Sequence, residues 1–424
     1  MEARSPLALR VVVGVAIGVA AGAWFRTDPI ALGLTTGDLG PIGMLVIRLL
    51  KALATPLILV AILDSFLKTS ISARSGARLL AVCAVNVSVA MAIGGLLLNL
   101  LRPGDRWAGH LDALGLASTG AAPARVEASL SPLKNLAGFV PESVVDPFAR
   151  NLVISVVLLA VLFGAALRRV RDLGEHPAAM QTVEHLIEVA YAALTTALLW
   201  VAETMPFAVA LIVSDVVGKA GVGVFQVLWV FFATILSGLL LHALVYYPLS
   251  QWALSGRSPW TYLRGALDAV VTAVSCNSSL ATMPVTLRCL RQLGVRDEAA
   301  RLSACVGTNF NNDGIMLYEA MATLFLCQAL GMPQGLGGQL TVAASAVMAG
   351  VGIAGIPEAG LIILPLVLTA VGVPDAAVAA AIPLVVPVDW VLARVRSGVN
   401  VLADMQVAIA LDALEPREAG APRA

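Results

Sequence analysis

Charged side chains are scarce: Asp, Glu, Lys and Arg make up 13% of the residues, against about a quarter in an ordinary soluble domain. With 59% hydrophobic residues and a mean hydropathy of +0.88, that scarcity excludes an ordinary cytosolic enzyme and points to a polytopic membrane protein. A basic excess is missing too. Lys plus Arg equals Asp plus Glu at 27 each, so nothing is left over to neutralise a nucleic-acid backbone, and nucleic acid is set aside as a partner. The cysteines lack metal or disulfide spacing. All five (Cys83, Cys276, Cys289, Cys305 and Cys327) lie in apolar stretches without a CxxC pair, so they read as small buried hydrophobes. No G-x-G-D string occurs, which counts against an intramembrane aspartyl protease built on Asp313 with Asp389 or Asp404.

What is present is a series of long apolar runs. A spanning helix needs about 20 mostly apolar residues, and residues 79–101 and 220–249 are uncharged over such lengths. Residues 7–25, 41–67, 152–167 and 189–214 are further expected spans, although Arg10, Arg48, Lys51, Asp64 and Glu203 interrupt them; such charges snorkel or face protein. Arg4 and Arg10 ahead of an apolar run also fit a signal peptide, but the many spans behind it favour a retained helix. Arginines cluster at 74–78, at 168–171 and around Arg257 and Arg264, which suits a cytoplasmic amino terminus under the positive-inside rule. Residues 102–151 read as a long outside excursion.

Two later stretches are not plain helices. Residues 269–287 are uncharged but carry Ser275-Cys276-Asn277-Ser278-Ser279 in their middle, and residues 338–374 are broken by Gly350, Gly352, Gly355, Pro357 and Gly360. Each is followed by a segment with polar residues of the buried type, Asn311 and Asp313 in one case, Asn400 and Asp404 in the other. Irregular backbone at membrane depth survives only where it packs in protein or lines a cavity. A matched pair of interrupted segments is the sequence pointer to an inverted-repeat transporter with a midplane site.

On the last expected helix, Asp389, Arg396, Asn400 and Asp404 fall at i, i+7, i+11 and i+15, and so share one face. Arg396 pairs with Asp389 when no ligand is bound and can turn its planar fork to a substrate carboxylate. Asn400 and Asp404, with Asn311 and Asp313, offer hard oxygens that can replace the hydration shell of a small cation.

These residues carry a family resemblance. Asn311-Asn312-Asp313-Gly314 resembles the N-M-D-G-T signature of the dicarboxylate/amino acid:cation symporters, which include the glutamate transporters. Residues 278–284 resemble that family's serine-rich hairpin tip, residues 354–360 its second tip, residues 396–404 the end of its last helix, and residues 45–59 its second helix.

The resemblance implies an all-α polytopic membrane protein with eight transmembrane helices and two re-entrant helical hairpins, assembled as a homotrimer in the cell inner membrane. Residues 1–76 and 105–218 would form the scaffold, 77–104 and 219–414 the transport domain, and 415–424 a cytoplasmic tail. It implies a sodium-coupled symporter, not an enzyme, with Na+ co-transported and no cofactor. By position, Ser278, Ser279, Gly355, Pro357, Asp389, Arg394, Arg396 and Asn400 carry over to the substrate. Gly307, Asn311, Asn400 and Asp404 carry over to one sodium, Asp313 to another, and backbone carbonyls of Gly350, Val351 and Ile353 to a third.

The chain departs from the pattern at several places. Asn312 replaces Met and Ile315 replaces Thr in the signature. Asn86 and Val87 replace small hydroxyl residues on the third helix, which counts against a second sodium site on Asp313. Ala393 stands where amino-acid carriers keep an Asp for the substrate ammonium, and an uncompensated ammonium at depth is costly, so a dicarboxylate without an amino group ranks above an acidic amino acid. Glu319 is the only charge between Asp313 and Pro333; desolvation favours its neutral form and makes it a candidate proton carrier. It matches a Glu of proton-coupled relatives, as Arg394 with Asn277 resembles their arginine placement; an ion pair with Arg394 is its structural alternative. An uncoupled anion channel lined by Arg394 and Arg396 is the competing function.

Overall fold

The computed structural model describes residues 7–30, 33–68, 73–108, 140–150, 152–174, 176–351 and 359–414, and among them every long element is helical. Helix α1 (Leu7–Phe25) coincides with the first expected span. Helices α2 (Thr36–Lys68), α3 (Ala73–Leu101) and α4 (Val153–Asp172) contain theirs to within a residue. The expected span 189–214 is corrected. Helix α5 (Pro177–Glu203) ends and α6 (Met205–Ala220) begins inside it, because Pro206 has no N–H to continue the α5 ladder and suits the first turn of a new helix. The run 220–249 also holds more than a plain helix: α7 (Val224–Leu241) passes through a π turn, His242–Tyr246, into α8 (Tyr247–Ser255).

The first broken stretch folds back at Asn277. Helix α9 (Pro259–Cys276) ends there with φ of 52°, a left-handed conformation that asparagine tolerates better than most residues. Ser278 then caps α10 (Ser279–Gln292) by accepting the Ala281 N–H at 3.2 Å. Beyond α11 (Asp297–Arg301), the chain runs through a π turn (Leu302–Val306) and a 3₁₀ turn (Gly307–Asn309), breaks at residues 310–312 and restarts as α12 (Asp313–Ala329). Helices α13 (Leu336–Gly350) and α14 (Ala359–Ala370) pack on each other before α15 (Asp375–Leu414) closes the chain. Of the expected second tip at 354–360, residues 354–358 with Gly355 and Pro357 lie outside the described residues, as do Ile353, 109–139 of the excursion and the tail 415–424.

Among the described residues, α2, α3, α5, α15 and the joined α7 and α8 are long and apolar enough to cross a membrane, while α1, α13 and α14 are apolar but shorter. Helices α1, α2, α4, α5 and α6 pack in one group. Within it α1 lies on α6 along a row of glycines. A Cβ on Gly14 would strike the Pro206 carbonyl, one on Gly18 would come within 2.8 Å of Val213 Cβ, and one on Gly22 within 2.8 Å of Val217 Cβ; small residues one turn apart let two backbones touch. Two of the span-interrupting charges also meet in this group, Arg10 with Glu203 at 2.7 Å.

The second group gathers round α12 and α15: α3, α7, α8, the α9–α10 pair and the α13–α14 pair all touch one or both. Trp107, after α3, meets Phe325 of α12 edge-on at 5.0 Å and fixes that end. Cys83, Cys289 and Cys327 are buried as expected, but Cys276 and Cys305 are exposed. In a membrane chain an apolar residue can face outward from the bundle instead of joining its core.

Candidate functional site

The polar stripe of α15 is buried along its whole length: Asp389, Arg396, Asn400 and Asp404 are each 4% exposed or less. Arg396 grips Asp389 with both terminal nitrogens, Nη1 to Oδ1 at 2.8 Å and Nη2 to Oδ2 at 3.2 Å, the fork geometry expected of a charge-assisted pair. Its guanidinium also lies 3.9 Å from the ring centroid of Tyr318, a cation–π contact. Gly360 of α14 comes so close that a Cβ there would strike the guanidinium. Arg396 is therefore enclosed by α12, α14 and its own helix.

Glu319 is buried beside this pair, within electrostatic reach of Arg396 and Asp389. Neither of its carboxyl oxygens has a hydrogen-bond partner among the described residues. Arg394 donates to the Trp390 carbonyl at 2.7 Å and lies over the Trp390 ring. The α9–α10 tip reaches α15 next to Arg396, where Ser397 Oγ donates to Asn277 Oδ1 at 3.0 Å. Ser278 and Ser279 are buried at this tip, Ser279 Oγ without a partner among the described residues. Ala393 is 3% exposed, so the position one turn after Asp389 is buried and offers a methyl group in place of a carboxylate.

The expected cation residues converge on the break at 310–312. Asn400 Oδ1 accepts the Gly314 N–H at 2.9 Å and thereby serves, from α15, one of the donors that the start of α12 leaves open. Asp404 lies against Thr308 and Asn311. The Gly307 carbonyl accepts from Phe310 and Asn311 at 2.8 and 2.9 Å. Asp313 Oδ2 accepts from Tyr247 Oη at 2.8 Å and shares a 3.1 Å hydrogen bond with His242 Nε2. Asn312 Nδ2 donates to the Gly350 carbonyl at 2.9 Å, beside Val351 at the end of α13.

After these bonds, Asn311 Oδ1, Asn312 Oδ1, Asp313 Oδ1 and Asp404 Oδ1 have no donor among the described residues, and Asn311 Nδ2 has no acceptor among them. An unserved buried polar atom costs about 1–3 kcal/mol, and native structures keep few of them. Oxygens in excess of donors are what a dehydrated hard cation requires. On α3, Asn86 is already committed, accepting from Tyr246 at 2.8 Å and donating to Gln406 at 2.7 Å, and Val87 is buried and apolar.

His242, Tyr246, Tyr247 and Gln406 were not among the residues that the sequence singles out. For His242 a signal existed, since an ionisable residue inside a spanning run is functional by default.

Among the described residues the chain is all-helical, with several helices long and apolar enough to span a membrane and one interrupted at residues 310–312. Residues 7–414 match the model of the sodium:dicarboxylate symporter family, and the chain belongs to that family, one of transporters and not of enzymes. It is 41% identical over 180 residues to an excitatory amino acid transporter of Caenorhabditis elegans, covering 42% of this chain and 35% of the relative. It is 33% identical over 254 residues to excitatory amino acid transporter 1 of Bos taurus, 59% of this chain and 45% of the relative. With excitatory amino acid transporter 4 of Mus musculus the identity is 41% over 186 residues, 44% of this chain and 32% of the relative. The chain thus spans less than half the length of these relatives.

Proposed function

We propose that the protein is a sodium-coupled symporter of a small dicarboxylate, working by alternating access in the cell inner membrane. The observation that carries this reading is the buried Arg396, forked onto Asp389 one turn before Asn400. A substrate carboxylate displaces Asp389 from a guanidinium already held in shape by Tyr318. Ser278 and Ser279 at one tip, and Gly355 and Pro357 at the other, close over it. Sodium binds among Asn311, Asn400, Asp404 and the Gly307 carbonyl, with Asp313 and the carbonyls of Gly350, Val351 and Ile353 serving further ions, and Glu319 carries a proton.

In the same reading, α1, α2 and α4 to α6 form the fixed frame of a homotrimer, within residues 1–76 and 105–218. The group round α12 and α15, within 77–104 and 219–414, is the body that moves. Eight spans and two re-entrant hairpins follow. The buried apolar Ala393 favours a dicarboxylate without an amino group. The names of the relatives support acidic amino acids as the second reading, with Asp389 as the ammonium partner, and competition of succinate or malate against aspartate or glutamate separates the two.

The test is uptake of labelled succinate and aspartate into proteoliposomes under an inward sodium gradient. Accumulation above equilibrium, lost when choline replaces sodium, is expected. Equilibration without accumulation would leave the uncoupled channel.

A further inference from the structure

Tyr247 is wholly buried, and its hydroxyl donates to Asp313 Oδ2 at 2.8 Å. The same oxygen shares a 3.1 Å hydrogen bond with His242 Nε2. A carboxylate oxygen has two lone pairs, so Oδ2 is fully engaged by the protein itself. Asp313 Oδ1 has no donor among the described residues.

The backbone is shaped to make this double grip. In a regular α-helix, residues five apart stand about 140° from each other round the axis. Here the Tyr247 N–H bonds the His242 carbonyl, five residues back, across the π turn His242–Tyr246. The wider turn brings both side chains to one oxygen, with their rings 4.5 Å apart. A chain of bonds then holds Tyr247 where it is. Ser250 Oγ donates to the Tyr247 carbonyl at 2.9 Å, and Gln406 Nε2 of α15 donates to Ser250 Oγ at 3.0 Å. Gln406 Oε1 accepts from Asn86 of α3 at 2.7 Å, and Asn86 Oδ1 accepts from Tyr246 at 2.8 Å. Both ends of each carboxamide are used, so this side of Asp313 is closed by protein.

A hydroxyl donor and a cation compete for the same negative charge, because what the O–H stabilises is no longer left to an ion. We infer that Tyr247 tunes ion binding at Asp313, holding part of the carboxylate's charge so that sodium binds weakly enough to leave again, as transport requires. The inference rests on the sodium-coupled reading above and deepens it. Tyr247 acts through Asp313 and does not touch the ion.

The experiment uses the full chain purified in detergent, and reads the sodium concentration that gives half-maximal thermal stabilisation, with choline as the ionic-strength control. Tyr247→Phe keeps the ring and removes the donor, and should lower that concentration about tenfold. Tyr246→Phe loses a bond to Asn86 and none to Asp313, and should leave it unchanged. In an Asp313→Asn background the effect of Tyr247→Phe on sodium should vanish, because the charge that the hydroxyl tunes is gone.

An unchanged sodium dependence in Tyr247→Phe, with a lower melting temperature in sodium-free buffer, would make Tyr247 a structural residue and overturn the inference. A raised sodium requirement would overturn it too, since the hydroxyl would then support the ion instead of competing with it. If the Phe variant does not fold, a ring-fluorinated tyrosine placed at position 247 decides. It keeps the hydroxyl and makes it a stronger donor, so the sodium requirement should rise; a fall or no change would overturn the inference. Asp313→Asn with the full sodium response would take the ion away from Asp313 and end the inference alone. An unsubstituted protein that responds alike to sodium and choline would overturn the sodium reading itself, and this inference with it.

Discussion

Where α1 lies on α6, Gly14, Gly18 and Gly22 bring one backbone against the next, and Val213 and Val217 close the seam. Where α12 lies on α15, Gly314 does the same against the Arg396 carbonyl, Val399 and Asn400, yet the residues round it are Asp313, Asn311, Asp404 and Glu319, all buried and all with unserved oxygens. Both seams are equally close. The first needs only shape, since each helix satisfies its own backbone and the contact is apolar. The second holds polar groups that their partners among the described residues do not complete. The two seams therefore share one geometry and differ in chemistry.

The sharpest way to break this contrast is Arg396→Lys. Losing a forked, charge-assisted grip should cost about 1.5–3 kcal/mol, so dicarboxylate affinity should fall roughly 10- to 150-fold; unchanged affinity in a substrate titration would remove Arg396 from the site. Asp404→Asn comes next. Sodium half-saturation of transport should rise about tenfold, with substrate affinity at saturating sodium little altered, and a normal sodium dependence would take Asp404 out of the ion site.

Gly18→Val tests the other seam. Its added atoms meet Val213, and overpacking of that kind costs about 1–3 kcal/mol. The melting temperature should drop while the sodium half-saturation stays put, and a sodium shift would erase the distinction between the seams. The mildest expected change is in Glu319→Gln, which mimics the protonated acid permanently. Uptake should lose its pH dependence with sodium and substrate affinities near normal, whereas an unaltered pH profile with full net transport would leave Glu319 a structural residue.

The first group of helices was largely legible from hydropathy, because spans such as 7–25 are bounded by charges and turns. Hydropathy could not see the division at Thr204, where apolar residues flank Pro206 on both sides. The α15 stripe was legible because helical spacing alone places Asp389, Arg396, Asn400 and Asp404 on one face. The grip of Tyr247 and His242 on Asp313 was not, since it joins residues 66 and 71 positions apart. Nor was the part played by Asn312. Its bond to the Gly350 carbonyl joins residues 38 positions apart.

The claim that the donorless oxygens round residues 310–312 receive the coupling ion is tested most directly by locating a cation. Crystals of the protein soaked with thallium(I), a monovalent ion with a strong anomalous signal, would show where such an ion rests. The expected result is an anomalous peak in contact with oxygens of Asn311 and Asp404, lost when sodium is restored in excess. Peaks confined to other parts of the molecule, in a protein whose uptake remains driven by sodium, would contradict it.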